Sequence, residues 1–255
     1  MRMGRFGRVV AVAATTIVVG IGLIASPAAA APVSPTNPSC AWQGTLPKQA
    51  AYSPFRSFVS QLDGQCHRAY AVIVRRLGYG RIAGWHPHAH VMFHFTWSSE
   101  NPIAATEMRS GVVTLNIGYF NRHPGDWGAV YHELTHVAQN YPAGQPAFIV
   151  EGVADYMRFY LGGNTVRDDP PFESYSRARC PAGQNYTSGY GCAAALLKYA
   201  NDVYHSDATL AVHELALQGR GSTYSATLQR VTHGRGAVEL WRACNHYERY
   251  CDNGR

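Results

Sequence analysis

Two histidines four residues apart, with a glutamate beside the first, constrain this chain more than any other feature. His132-Glu133-Leu134-Thr135-His136 is followed by Glu151-Gly152-Val153-Ala154-Asp155. An α-helix turns once every 3.6 residues, so residues four apart share a face. A helix through His132 and His136 aims both imidazoles one way. A second helix through Glu151 and Asp155 aims both carboxylates one way. The flanks carry the matching signals. Asp126 suits an N-cap, and Asn140 with Pro142 suits a stop for the first helix. Pro146 suits a first helical position, and Gly162-Gly163 suits the end of the second.

If the two helices face each other, their polar residues form a metal site. Two imidazole nitrogens and one carboxylate are a ligand set of open catalytic zinc centres, which keep a fourth position for water. His132, His136 and Glu151 are the candidate ligands, and Zn2+ is the expected cofactor. Glu133 is placed to take a proton from a water in the site. Ligating histidines usually donate their outer ring N–H to a carboxylate or carbonyl, which makes Asp155 a candidate partner for one of them. The competing reading is a buried His/Glu/Asp network that only ties two helices together. The metzincin extension requires Gly and His at the third and sixth positions after the second histidine. Gln139 and Pro142 stand there, so the expected third ligand is a glutamate.

Residues 1–30 read as a secretory signal peptide. Arg2, Arg5 and Arg8 precede an apolar run from Val9 to Ala25, and Ser26–Ala31 is a small-residue cleavage region. No later stretch is long and apolar enough to span a bilayer, so no membrane association is expected after cleavage. The formal net charge of +6 falls to +3 without those three arginines. The remaining mild basicity suits an anionic surface such as a cell wall, and no Lys/Arg run points to nucleic acid. The six cysteines read as disulfides in an exported chain, and their proximity in sequence suggests Cys40–Cys66, Cys180–Cys192 and Cys244–Cys251.

Residues 31–54 read as a polar leader or linker, and 55–255 as one domain with an α/β lobe to about 140 and a helical lobe after it. Phe55–Leu77 is helix-like but interrupted at Gly64, with Cys66–Leu77 the better helix. Ala89–Trp97 alternates as a strand with one buried face. On its other face, His88, His90 and His94 read as an exposed polar row rather than a second metal site. Val112–Ile117 is a second strand, expected to form the edge of the cleft and accept an extended peptide by main-chain pairing. Helices are expected over Cys192–Val203, Ala208–Gln218 and Ala237–Tyr247. Strands first and helices later give an α+β fold.

Four segments, Tyr131–Asn140, Phe148–Phe159, Asn185–Tyr199 and Leu228–Trp241, in this order resemble the plant and bacterial basic secretory protein family, a group regarded as zinc endopeptidases. The resemblance implies a secreted metallopeptidase of the glutamate-zincin type, with a small zincin-like sheet packed on the HExxH helix. It implies His132, His136 and Glu151 as metal ligands, Glu133 as the catalytic glutamate and Asp155 as the carboxylate that follows the ligand. Tyr186, Gly189 and Tyr190 match a downstream signature. Cys192 directly after it departs from the pattern, as do Ala138 and Asn140 where aromatics are common. Tyr190 is the first choice for stabilising the oxyanion, with Tyr186, His205 and His213 as alternatives and a core aromatic as the competing reading. The expected function is a secreted, monomeric, zinc-dependent endopeptidase acting on protein or peptide. A zinc hydrolase of cell-wall material and a non-catalytic zinc-containing binding protein remain as alternatives.

Overall fold

Two strands with alternating apolar residues form the centre of the N-terminal half. In a computed structural model, which describes residues 34–43, 46, 54–97, 103–162, 180, 183–246 and 251, β2 (His90–Thr96) pairs in parallel with β4 (Val112–Asn116). Strand β1 (Ser39–Gln43) adds in parallel to β2, and β3 (Ala104–Glu107) adds antiparallel to β4, giving the order β1-β2-β4-β3. The signal peptide expected over residues 1–30 lies outside the described residues. All described residues belong to one compact unit, Pro32–Arg255.

One sheet face carries Val91, Phe93, Val113 and Leu115, all buried. Helix α1 (Pro54–Arg76) packs on the β1 side of the sheet, and the helix Trp127–Gln139 packs on β3 and β4. Phe55 meets Phe95 edge-on at 5.3 Å, and Phe58 stacks on Phe120 at 4.5 Å and on Trp127 at 4.6 Å. The opposite face holds the histidine row. His90 is exposed, and His94 lies 3.3 Å from the Gln43 side chain. His88 instead bonds the Met108 carbonyl.

Three expectations need correction here. Helix α1 runs unbroken through Gly64. A helical glycine costs about 1 kcal/mol, whereas each large apolar side chain buried contributes about 1.5–3 kcal/mol. Phe58, Leu62, Tyr70 and Ile73 line one stripe across that glycine. Within the supposed leader, Ser39–Gln43 is a sheet strand, held by its ladder to β2 and by the Cys40–Cys66 disulfide. Finally, the strand at Val112 lies inside the sheet between β2 and β3, so it offers no free edge. It ends at Asn116, whose side chain caps a short helix, α2 (Ile117–Arg122), by accepting from Gly118 N at 2.9 Å.

Helix α3 (Trp127–Gln139) is buried at every residue. Asp126 caps it by accepting from Ala129 N at 3.0 Å, and Asn140 ends it in the left-handed conformation with φ 41°. Helix α4 (Ala147–Gly162) packs between α3 and α5 (Tyr190–Val203). The α4–α5 approach is close because a Cβ on Gly152 would meet that of Ala193 at 2.5 Å. Helices α6 (Ala208–Leu217), α7 (Tyr224–Val231) and α8 (Ala237–Cys244) complete an α+β molecule whose helical region follows the sheet. Of these, α7 has no counterpart among the expected helices. The cysteines pair as proximity suggests, Cys40–Cys66, Cys180–Cys192 and Cys244–Cys251.

His213 is a buried titratable group in this core, edge-on to Trp85 and 2.8 Å from the Tyr141 hydroxyl. Burial pushes its pKa down from 6.5 to about 3. The unfolded chain therefore takes up this proton first, so the stability it contributes is whole above about pH 6.5 and is lost as pH falls towards 3. Urea midpoints followed from pH 7 to 4 should fall less steeply in His213→Gln than in the native chain. Parallel slopes would remove His213 from the acid lability.

Candidate metal centre

The capped, buried helix α3 and the α4 helix beside it bring three ligand atoms to one point. His132 Nε2 lies 3.0 Å from His136 Nε2 and 3.1 Å from Glu151 Oε2, and His136 Nε2 lies 3.4 Å from the same oxygen. Among the described residues this trio forms the one group of three or more His, Cys, Asp or Glu side chains that could hold a metal ion. The histidine row on the sheet does not.

The outer partners decide which ring nitrogens carry protons. His132 Nδ1 lies 2.7 Å from Asp155 Oδ1, so it is the donor. His136 Nδ1 lies 2.8 Å from Gln139 Oε1. The Gln139 nitrogen donates to the Val150 carbonyl at 2.9 Å, which fixes the amide oxygen towards His136. Both Nδ1 atoms are thus protonated in the neutral rings. If both rings are neutral, two Nε2 lone pairs and a carboxylate oxygen converge and repel one another. A cation relieves the repulsion. Ligand atoms about 2.0–2.1 Å from a zinc ion lie roughly 3.3 Å from one another in a tetrahedral arrangement, close to the spacing here. The residues present fit a divalent metal of the zinc type.

The electrostatics agree. Burial alone would lower the His132 pKa. The Asp155 hydrogen bond and charge, with the Glu151 bond and the Glu133 charge, outweigh burial and raise it to about 10. This position therefore favours positive charge strongly, whether carried by a proton or by a metal ion. Burial would push the Glu151 carboxyl up, but its bonds to both histidines hold it well below the usual carboxylate range.

Glu133 does not join the ligand trio. Its carboxylate accepts from Thr106 Oγ1 of β3 at 2.6 Å, and it lines a cleft of about 600 Å³ together with His132, His136 and Glu151. Ile103 to Thr106 and Met108 form one wall, and Val150, Arg158 and Tyr190 contribute to the other. The strand at the cleft is therefore the edge strand β3, and not β4. Tyr190 is half-exposed, with its ring nearly parallel to that of His132 (12°) at 6.0 Å. Its φ of 44° is left-handed, which is unusual for a tyrosine and places local strain beside the site.

The alternatives to Tyr190 are not brought to this cleft. Tyr186 is buried with its hydroxyl on that of Tyr224 at 3.1 Å. His213 lies in the core on Tyr141, and His205 is exposed and absent from the cleft walls. Sequence reasoning missed Thr106, Gln139 and Arg158. Arg158 follows Glu151 and Asp155 on the same helical face, and its Nη2 donates to the capping Asp126 at 3.2 Å. Gln139 is one turn beyond His136, so its position was a readable signal. For Thr106, a strand residue 27 positions from its partner, there was none.

Residues 112–244, just over half of the chain, match the family model BSP, described as peptidase of plants and bacteria. Neither a curated protein nor a solved structure matches the chain.

Asp155→Ala removes the acceptor that holds His132 in its metal-ready tautomer. Chelator competition should show about 10–100-fold weaker metal binding in a folded variant. Unchanged affinity would show that the 2.7 Å contact does not tune the ligand.

Proposed function

This chain belongs to the BSP family of plant and bacterial peptidases, and from that footing we propose that it is a secreted, zinc-dependent endopeptidase. The observation that carries the reading is the convergence of the inward ring nitrogens of His132 and His136 and the Glu151 carboxylate beside a cleft that Glu133 also lines. Asp155 and Gln139 back the two imidazoles from outside, as partners of metal-ligating histidines do.

His132, His136 and Glu151 would hold the ion. Zinc bound there would supply Lewis-acid polarisation of the scissile carbonyl and a water made acidic enough to ionise near neutral pH. Glu133 takes the proton of the attacking water and passes it to the leaving amine. Thr106 keeps the Glu133 carboxylate facing the cleft through its 2.6 Å bond. Tyr190, on the opposite wall, is the candidate donor to the developing oxyanion. An extended peptide adds to β3, which lines the cleft and whose outer edge is unpaired among the described residues. Three disulfides suit an oxidising compartment, and no described helix is long and apolar enough to cross a membrane. The disulfides accord with export, and the proposal is of a monomer, released by removal of residues 1–30, with a protein or peptide as substrate.

A peptide-library digest of the chain from residue 31 onward tests the reading. Cleavage should stop on chelation and return with zinc. Glu133→Gln should bind zinc normally and lose about 10²–10⁴-fold in turnover. Tyr190→Phe should lose about 10²-fold with the metal retained. A folded, zinc-loaded native chain that cleaves no peptide but digests purified wall polymer would replace the peptidase reading. Inactivity on both would favour a binding role.

A further inference from the structure

A buried amide backs the metal centre, and the chemistry proposed above does not use it. Gln139 is completely buried at the last position of α3. Its amide oxygen accepts from His136 Nδ1 and its nitrogen donates to the Val150 carbonyl.

We propose that Gln139 is a positioning residue that sets the tautomer of His136, its amide held by the Val150 carbonyl in the one orientation that permits metal binding. The inference rests on the metal-site reading above. A glutamine amide has two N–H donors and one acceptor oxygen. With an N–H on the Val150 carbonyl, the amide oxygen faces His136. A flipped amide would set oxygen against the Val150 carbonyl and N–H against His136 Nδ1. The His136 proton would have to move to Nε2, the nitrogen 3.0 Å from His132 Nε2. His136 could not then donate a lone pair to an ion. Val150 precedes Glu151, so the same amide also couples His136 to the turn of α4 that bears the third ligand.

Three variants test this: Gln139→Leu, Gln139→Met and Gln139→Glu. Each is checked for folding by thermal unfolding. Its zinc dissociation constant is measured by chelator competition, and its histidine tautomers are read from 15N spectra of the metal-free protein at pH 8. The native chain should show His136 protonated at Nδ1. Gln139→Leu should mix the two tautomers and raise the zinc dissociation constant about 10–100-fold. Gln139→Glu keeps an acceptor and should restore the Nδ1 proton. A folded Gln139→Leu with an unchanged tautomer and unchanged affinity overturns the proposal. If Gln139→Leu does not fold, Gln139→Met, closer to the native shape, with native tautomer and affinity overturns it. A native chain that binds no zinc defeats the metal-site reading instead, and the metal-free spectra still decide the tautomer.

Discussion

The packing of α4 against α3 through charged side chains is the contact on which the rest of the site depends. Glu151, Asp155 and Arg158 occupy successive turns of one α4 face, and they meet both histidines and the helix cap: Glu151 at His132 and His136, Asp155 at His132, and Arg158 at Asp126. Such contacts are costly to bury and more costly to break. Removing one member of a buried pair costs about 3–5 kcal/mol because the other is left without a counter-charge. The register of the two helices is therefore set tightly, since a slip of one residue would strand three charges at once. The position of the third ligand relative to the first two is thus fixed by the same bonds that join the helices.

That arrangement leaves an imbalance, and the imbalance has a direction. Glu133, Glu151 and Asp155 lie around two imidazoles whose inward nitrogens face one another. In the metal-free chain a proton on His132 offsets part of the negative charge, in line with its raised pKa. A divalent cation in the proposed state offsets more of it and displaces that proton. Binding to the folded state alone would then stabilise the fold, by about 4 kcal/mol at a thousandfold excess over the dissociation constant. Folding and metal loading become one linked equilibrium, anchored in a helix with no exposed residue.

What could be read in advance divides along the range of the interactions. Helices α3 and α4, the Asp126 and Asn140 ends of α3, and the placing of Asp155 beside one of the two histidines follow from local spacing, because the helical period fixes which residues share a face. The disulfides followed from proximity in sequence. Long-range features left no such trace. Nothing near Thr106 announces that it will reach Glu133, because the contact is created by sheet order. That order also moved the cleft edge from β4 to β3. Gly64 misled because its helical cost is visible in one residue, while the stripe that outweighs it spans four turns. The strand at Ser39 was hidden by its Pro- and Ser-rich surroundings and is held by partners 26 and about 50 residues away. Among downstream polar aromatics and histidines, composition could not tell Tyr190, which reaches the cleft, from Tyr186 and His213, which the core absorbs.

The Thr106–Glu133 bond gives the edge strand a second role under the proposed mechanism. A peptide adding to β3 would be aligned by the backbone of the strand whose side chain holds the general base. Alternate residues of β3 point to opposite faces, so Thr106 can face α3 while the backbone beside it stays open to a partner. Substrate alignment and proton transfer would then share one rigid reference, because β3 is itself registered on β4 by four residue pairs from Ala104–Leu115 to Glu107–Val112. Bonding the base to a loop would let it drift relative to the bound chain. Bonding it to the docking strand makes any shift of that strand move the base and the substrate together, which keeps the attacking water, the carbonyl and the acceptor in one geometry.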